Sequence, residues 1–248
     1  MMGPELRFEQ DVRTHVGAIR KINEDAHIAR PLDGLWAVAD GMGGHINGQW
    51  ASATIVNALE AAILGDDFEM SVTRLTNALQ DANWEILEAS RVAGGAIGST
   101  VAALLITGMR YAVIWAGDSR VYRCRDRSLT LLTTDHSQVE QMVAAGLLRR
   151  EEAENHPMGH VLSRAIGVHE DLELDRIDGD VLPGDVFMLC SDGLSRLMDF
   201  AEIQQRLIGE PPRMVASTLV KLALDRGAPD NVTFAVVGCD ATTLVGVI

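Results

Sequence analysis

Short apolar runs bounded by turn residues recur along the chain, at 35–40, 100–106, 111–117, 120–125, 129–133, 186–192 and 232–239. Runs of this length flanked by Gly, Asp or Ser predict strands. Several are separated only by tight turns: Thr107-Gly108-Met109-Arg110 splits one pair, and 125–128 splits another. Connections this short join antiparallel neighbours, because a parallel crossover needs about a dozen residues or more. A different period governs 70–93, where Val72, Leu75, Leu79, Ala82 and Ile86 recur at three- and four-residue steps, while Arg74, Asn77, Gln80 and Asp81 take other faces. One apolar stripe of that kind predicts a helix packed on a core. Segments 47–64 and 213–225 follow the same pattern, and Trp84 and Leu87, off the main stripes, are expected to serve packing.

The helices come as a pair between early strands and singly near the end, and hairpins dominate the middle. This order predicts an α+β fold, a central antiparallel β-sandwich flanked by helices in α-β-β-α layers. No internal repeat and no Pro- or Ser-rich linker interrupts the series, so 1–248 is expected to form one domain. The stretch 137–169 stands apart, being polar and carrying Gly146, Pro157, Gly159 and Gly167. It is expected to be a flap over one face of the sandwich. Its Arg149 and Arg150 are candidate substrate anchors, with solvated charge as the simpler role.

Composition narrows the function. With 248 residues, 47% of them hydrophobic and 23% charged, the chain can bury a sizeable core without staples. Lys and Arg number 21 against 35 Asp and Glu, a net charge of −14, which repels phosphate backbones and anionic membranes. Neither nucleic acid nor a membrane surface is therefore an expected partner. Cys124, Cys190 and Cys239 are widely spaced and odd in number, which indicates neither a disulfide framework nor a zinc site. No run approaches the ~18 apolar residues of a membrane span, and Met1 to Arg7 lack the basic and apolar segments of a signal peptide. A cytoplasmic protein is expected, monomeric by default, and the sequon Asn231-Val232-Thr233 is then accidental.

The acids carry the chemistry. Asp40-Gly41 ends one predicted strand, Gly117-Asp118-Ser119-Arg120 another and Ser191-Asp192-Gly193 a third, and Asp230 stands at the mouth of the last. Asp-Gly commonly marks nothing more than a turn. Four such acids at the strand ends of one sandwich, however, would repel one another unless a cation neutralised them. Oxygen-only ligation selects a hard ion, Mg²⁺ or Mn²⁺. The segment Arg20-Lys21-Ile22-Asn23-Glu24-Asp25 adds a guanidinium able to bind a phosphoryl group bidentately, beside two acids able to ligate or to orient water.

Together, Arg20-x-x-Asn23-Glu24-Asp25, Val38-Ala39-Asp40-Gly41-Met42-Gly43-Gly44, Gly98-Ser99-Thr100, Gly117-Asp118-Ser119-Arg120, Thr134-Asp135-His136-Ser137, Leu162-Ser163-Arg164-Ala165-Ile166-Gly167, Ser191-Asp192-Gly193-Leu194 and Asp230-Asn231 resemble an ordered motif series. It is that of the metal-dependent protein phosphatases, the type 2C Ser/Thr phosphatase family, in its bacterial stand-alone form. The resemblance implies hydrolysis of phosphoserine and phosphothreonine in proteins, opposing a Ser/Thr kinase. It implies two Mn²⁺ or Mg²⁺ ions, with Asp40 bridging both, the Gly41 carbonyl on one, and Asp192 with Asp230 completing the other. Asp118 with Asp192 matches the positions that bind a third, looser ion in bacterial-type members. Arg20 would hold the substrate phosphate, and Glu24 and Asp25 would act on the ions directly or through water. A water bridging the two ions would attack phosphorus directly, without a phosphoenzyme.

Eukaryotic members commonly place His after the Asp-Gly of the bridging motif; Met42 stands there in this sequence, as in bacterial-type members. Protonation of the leaving group then falls to a metal-bound water, His45 or His136. Two rivals are weaker. The run 35–39 with Gly41-x-Gly43-Gly44 and Glu60 imitates a dinucleotide-binding unit, but Ile46 stands where the third Gly is required, and Asp40 would repel a pyrophosphate. A scaffold that has lost catalysis would usually lack one of the metal acids, and Asp40, Asp192, Asp230 and Arg20 are all present.

Overall fold

The computed structural model of the chain describes residues 6–44, 46–153, 156–159 and 161–242. His45 and residues 1–5, on which two of the expectations above rest, lie outside the described residues. Elements run in the order β1 (Leu6–His15), β2 (Asp25–Arg30), β3 (Leu35–Met42), α1 (Ile46–Ala61), α2 (Phe68–Ala93), β4 (Gly98–Ser99), β5 (Val101–Thr107), β6 (Arg110–Ala116), β7 (Arg120–Arg125) and β8 (Ser128–Leu131). There follow α3 (Gln138–Ala144), α4 (Arg150–Ala153), β9 (Asp175–Asp180), β10 (Val186–Cys190), α5 (Asp192–Ser195), α6 (Phe200–Leu207), α7 (Pro212–Asp225) and β11 (Val232–Ala241).

Two antiparallel sheets result. One has the strand order β1-β11-β10-β7-β8; the other has β2-β3-β5-β6-β9, with β4 paired to β3. The β7–β8 hairpin turns through Asp126 and Arg127, both at positive φ, the backbone that matches strand twist in a two-residue loop.

Alternation along each strand divides the core into three layers. On β3, Leu35, Ala37 and Ala39 pack with Ile55 and Leu59 of α1 and with Leu75, Leu79 and Ile86 of α2. Trp36 and Val38 point the other way and meet Phe187, Leu189, Ala235 and Val237 of the opposite sheet. The second face of that sheet, through Met188, Cys190, Phe234 and Val236, packs on Ile203, Leu207, Val215 and Leu219 from α6 and α7. Period-two strands with both faces covered and period-3.6 helices with one covered face give the expected α-β-β-α layering.

The structure also adds elements that the apolar runs did not announce: β1, β2, β4, β9, α5 and α6. The expected strand 186–192 ends at Cys190, and Asp192 instead begins the single turn α5. In the stretch 137–169, α3 is capped by Ser137, whose side chain accepts from Glu140 N; the bridge Ser137↔Leu162 closes the segment on itself, and the bridge Ser99↔Ile166 ties it to the body.

Candidate functional site

At one end of the sandwich a cavity of about 660 Å³ is lined by Arg20, Glu24, Asp40, Gly41, Asp118, Asp192 and Asp230. Each reaches it from a different place in the fold. Asp40 and Gly41 lie near the end of β3; Arg20 and Glu24 lie in the loop before β2; Asp118 follows β6; Asp192 opens α5; and Asp230 precedes β11.

Hydrogen bonds fix these segments. Asp40 O accepts from Thr100 N at 2.8 Å and Ser99 Oγ at 2.9 Å, and Asp40 N donates to Thr100 Oγ1 at 3.1 Å. Asn231 holds the Arg20 loop against the start of β11: its Oδ1 accepts from Glu24 N at 2.7 Å, and its Nδ2 donates to Val16 O and Ile22 O at 2.9 and 3.0 Å. Glycine is required where backbones approach. A Cβ on Gly41 would stand 2.0 Å from Gly48 O and 2.7 Å from Glu24 O, and one on Gly193 would stand 1.8 Å from Asn231 O.

The carboxylates are crowded and poorly solvated. Asp40 keeps an opening to the cavity but is otherwise enclosed by protein. Burial, then the charges of Asp25, Asp192, Asp118 and Asp230, push its pKa well above the ordinary carboxylate range. Burial, with Asp192 and Asp230 adding, raises Asp25 to about 7. Burial, followed by Asp192 and Asp135, raises Asp118 to about 7. Asp192 is raised chiefly by burial and relieved in part by Arg196. Such a set is stable as anions only beside cations.

Some of those cations belong to the chain. Arg20 Nη2 lies 2.7 Å from Asp230 Oδ2, and Arg196 Nη2 lies 2.8 Å from Asp192 Oδ2 and 3.3 Å from Asp118 Oδ2. They do not reach the whole set. Asp25 Oδ2 accepts from Ser191 Oγ at 2.8 Å, while its buried Oδ1 meets no donor at hydrogen-bonding geometry.

Among the described residues no three acidic, His or Cys side chains close on one point as a finished ligand set. The oxygens are instead spread around the cavity. That spacing suits Mg²⁺ or Mn²⁺, which take only one or two carboxylates each and keep several waters. An acid-rich lining, backed by the unsatisfied Asp25 Oδ1, therefore fits hard divalent ions, and Asp40, Gly41, Asp192 and Asp230 are the residues that could hold them.

The structure thus brings the expected residues Arg20, Glu24, Asp40, Gly41, Asp118, Asp192 and Asp230 to one cavity, and sets Asp25 behind them. Other expectations change. His136 is buried away from the lining: its Nδ1 accepts from Gly117 N at 3.1 Å, and its Nε2 faces Asp175 Oδ2 at 3.2 Å. Burial lowers its pKa, so it is a neutral pin beneath the site rather than a proton donor within it. The described histidine that does line the cavity is His169. Arg149 pairs with Glu152, Arg150 pairs with Glu140, and neither lines the cavity. They are solvated charge, as the simpler expectation had it.

Arg196 falls in none of the sequence motifs, and Arg164 falls in one without an assigned role. Both line the cavity, with Arg164 Nη1 2.6 Å from Asp175 Oδ1. For Arg196 the available signal was its place four residues after Asp192, one helical turn.

Comparison with known proteins agrees with this geometry. The family model for protein phosphatase 2C matches residues 18–238. The serine/threonine protein phosphatase PstP of Mycobacterium tuberculosis is 36% identical over 228 residues, covering 90% of this chain and 43% of that protein, so the chain spans less than half of this relative's length. The structure of PppA, described as a key regulatory component of T6SS in Pseudomonas aeruginosa, superposes with a TM-score of 0.88 at 39% identity, covering 96% of this chain and 100% of that one. The catalytic domain of the phosphatase PstP in complex with 2 manganese ions superposes with a TM-score of 0.84 at 32% identity, covering 96% and 100%. Among the described residues no helix is long and apolar enough to cross a membrane. With its family model matched over nearly its whole length, its sandwich shared with solved relatives and its acids gathered at one cavity, the chain belongs to the protein phosphatase 2C family.

Proposed function

We propose that the chain is a metal-dependent Ser/Thr protein phosphatase, hydrolysing phosphoserine and phosphothreonine monoesters in proteins and opposing a Ser/Thr kinase. The observation that carries this reading is the meeting of the Arg20 guanidinium and carboxylates from five chain segments at one cavity. Asp40, Gly41, Asp192 and Asp230 would hold two Mn²⁺ or Mg²⁺ ions, with Glu24 and Asp25 supporting them. When bound, such ions supply an acidified water as nucleophile and neutralise charge on the phosphoryl oxygens.

The chain's own groups bind and orient. Arg20 has a side chain 49% exposed and is held by Asp230, so its other donors face the cavity mouth and can fork onto two phosphoryl oxygens. The β3 backbone, fixed through Ser99 and Thr100, keeps Asp40 from moving as substrate enters. Met42 stands at the cavity wall where eukaryotic members of the family commonly have His, so protonation of the leaving alcohol falls to water in the site or to His45, which lies outside the described residues.

One catalytic domain over 1–248 with 137–169 as its flap is the organisation this reading takes, supported by the core the two sheets share. A cytoplasmic place is supported by three buried cysteines that remain free. A monomer is supported by a net charge of −14, which makes copies repel one another.

The test is phosphate release from a phosphothreonine peptide with Mn²⁺ and then with EDTA, beside a phosphotyrosine peptide. Metal-dependent release favouring phosphothreonine is expected. No release with any divalent ion would overturn the proposal.

A further inference from the structure

Arg196 closes α5 as its C-cap residue, and its backbone N–H donates to Asp192 O at 2.9 Å. That single turn carries its side chain back over Asp192. One terminal nitrogen, Nη2, then reaches two carboxylates at once, Asp192 Oδ2 at 2.8 Å and Asp118 Oδ2 at 3.3 Å. The two acids come from different sheets' ends, and Asp118 is only 6% exposed. Buried acids so placed need a shared cation.

The neighbouring charges are otherwise engaged. Asp135, the next acid beside Asp118, is held by Arg120 through Nε at 2.9 Å and Nη2 at 2.8 Å. Arg20 is held by Asp230. Among the described residues, Arg196 is the cation that pairs with both Asp118 and Asp192.

We propose that Arg196 is a built-in counter-cation for Asp118 and Asp192, occupying the place a further metal ion would take and so setting how many ions the cavity binds and how tightly. The proposal rests on the metal-centre reading above. One guanidinium against two carboxylates leaves a single net negative charge there, which attracts a divalent ion far less than two would. A guanidinium does not lose its proton in this range of pH, so its hold is not released by titration. Its side chain is 45% exposed, however, so it can swing towards solvent when an ion presses in at high concentration. Arg196 is a positioning residue for the ion sites, not a group that touches phosphate.

The test is calorimetric titration of Mn²⁺ into the whole protein and into Arg196→Met and Arg196→Lys, with thermal melts of each in EDTA and in saturating Mn²⁺. Arg196→Met is expected to gain a further ion, or to bind its weakest ion about tenfold tighter, a coupling ordinary for sites that compete. Arg196→Lys should stay close to the parent protein. Arg196→Met should also lose more melting temperature in EDTA than in Mn²⁺, and adding Asp118→Asn to it should restore the EDTA value, which a merely structural role would not do. Should Arg196→Met fail to fold, Arg196→Gln and the Asp118→Asn/Arg196→Met pair provide the same comparisons. Unchanged ion number and affinity, with equal melting shifts in EDTA and Mn²⁺, would overturn the role of Arg196 while leaving the metal centre intact. Absence of Mn²⁺ binding by every form would overturn both.

Discussion

Asp40 and Asp192 illustrate how a site residue can be costly to the fold that holds it. Both are carboxylates whose pKa is raised by burial, and the charge of Asp192 raises that of Asp40 further. Replacing either by Asn removes a charge that the apo fold must otherwise neutralise, so the core should tolerate it. The same change removes an ion ligand. We expect Asp40→Asn and Asp192→Asn each to lower phosphopeptide turnover by more than about a hundredfold at saturating Mn²⁺, beyond the range usual for groups that only support a ligand. Circular dichroism should show an unchanged fold, and near-normal turnover in either variant would remove that residue from the centre. Arg20→Ala should lose charge-assisted hydrogen bonds to phosphate, each worth about 1.5–3 kcal/mol. That corresponds to roughly a 10- to 100-fold fall in kcat/KM, carried mainly by KM. An unchanged KM would assign Arg20 to its ion pair with Asp230 alone. Both sets of residues were legible in the sequence because acids at strand ends and a lone Arg beside acids need little context. Arg196 was not, because its partner Asp118 is distant in the chain and only the fold brings them together.

Elements show where apolar patterning loses its signal. The strands without an apolar run include β1, β2 and β9, and each is an edge strand of its sheet. An edge needs one covered face at most, and charge on it discourages pairing with other chains. In β9, Asp175-Arg176-Ile177-Asp178-Gly179-Asp180, pairing with β6 does the work that apolar alternation does elsewhere. Central strands such as β5 and β11, covered on both faces, announced themselves. The helix α6 had a local signature, Asp199 with Glu202 as a reciprocal cap, which apolar periodicity alone passes over. The junction of α5, β11 and the Arg20 loop is pinned by Asn231 and by the contact of Gly193 with its carbonyl. Asn231→Ala would leave the Glu24 N–H and two carbonyls without their partner. A loss of about 1–3 kcal/mol is expected for a buried group so stranded, read as a lower urea midpoint. Gly193→Ala, with its new Cβ only 1.8 Å from Asn231 O, should cost at least as much. If Gly193→Ala melts like the parent protein, the junction is looser than its packing indicates.

For the whole molecule, the layered sandwich and the acid cluster are one problem, since the fold that gathers the site also gathers repulsion. The cost depends on pH. Carboxylates of unfolded chains titrate near about 4, whereas Asp25 and Asp118 titrate at about 7 in the folded protein. Groups raised in this way favour the fold when protonated. Their contribution is fully present below the unfolded value and is lost as pH rises through the folded one. Ion binding runs the opposite way, because ligands must be ionised before Mn²⁺ can be held. Ions that bind only the folded state stabilise it by mass action, so the melting temperature in Mn²⁺ should exceed that in EDTA by a margin that depends on pH. We expect the margin to be small near about pH 5, to widen through about pH 7 and then to level off, as the raised carboxylates finish ionising. The comparison cancels the surface pairs, such as Glu202 with Arg226, whose acids titrate well below this window in both conditions. A margin that stays flat from about pH 5 to about pH 8 would mean that the raised carboxylates lie outside the ion site. A widening margin would tie the buried acids of the two sheets to one ion-binding function.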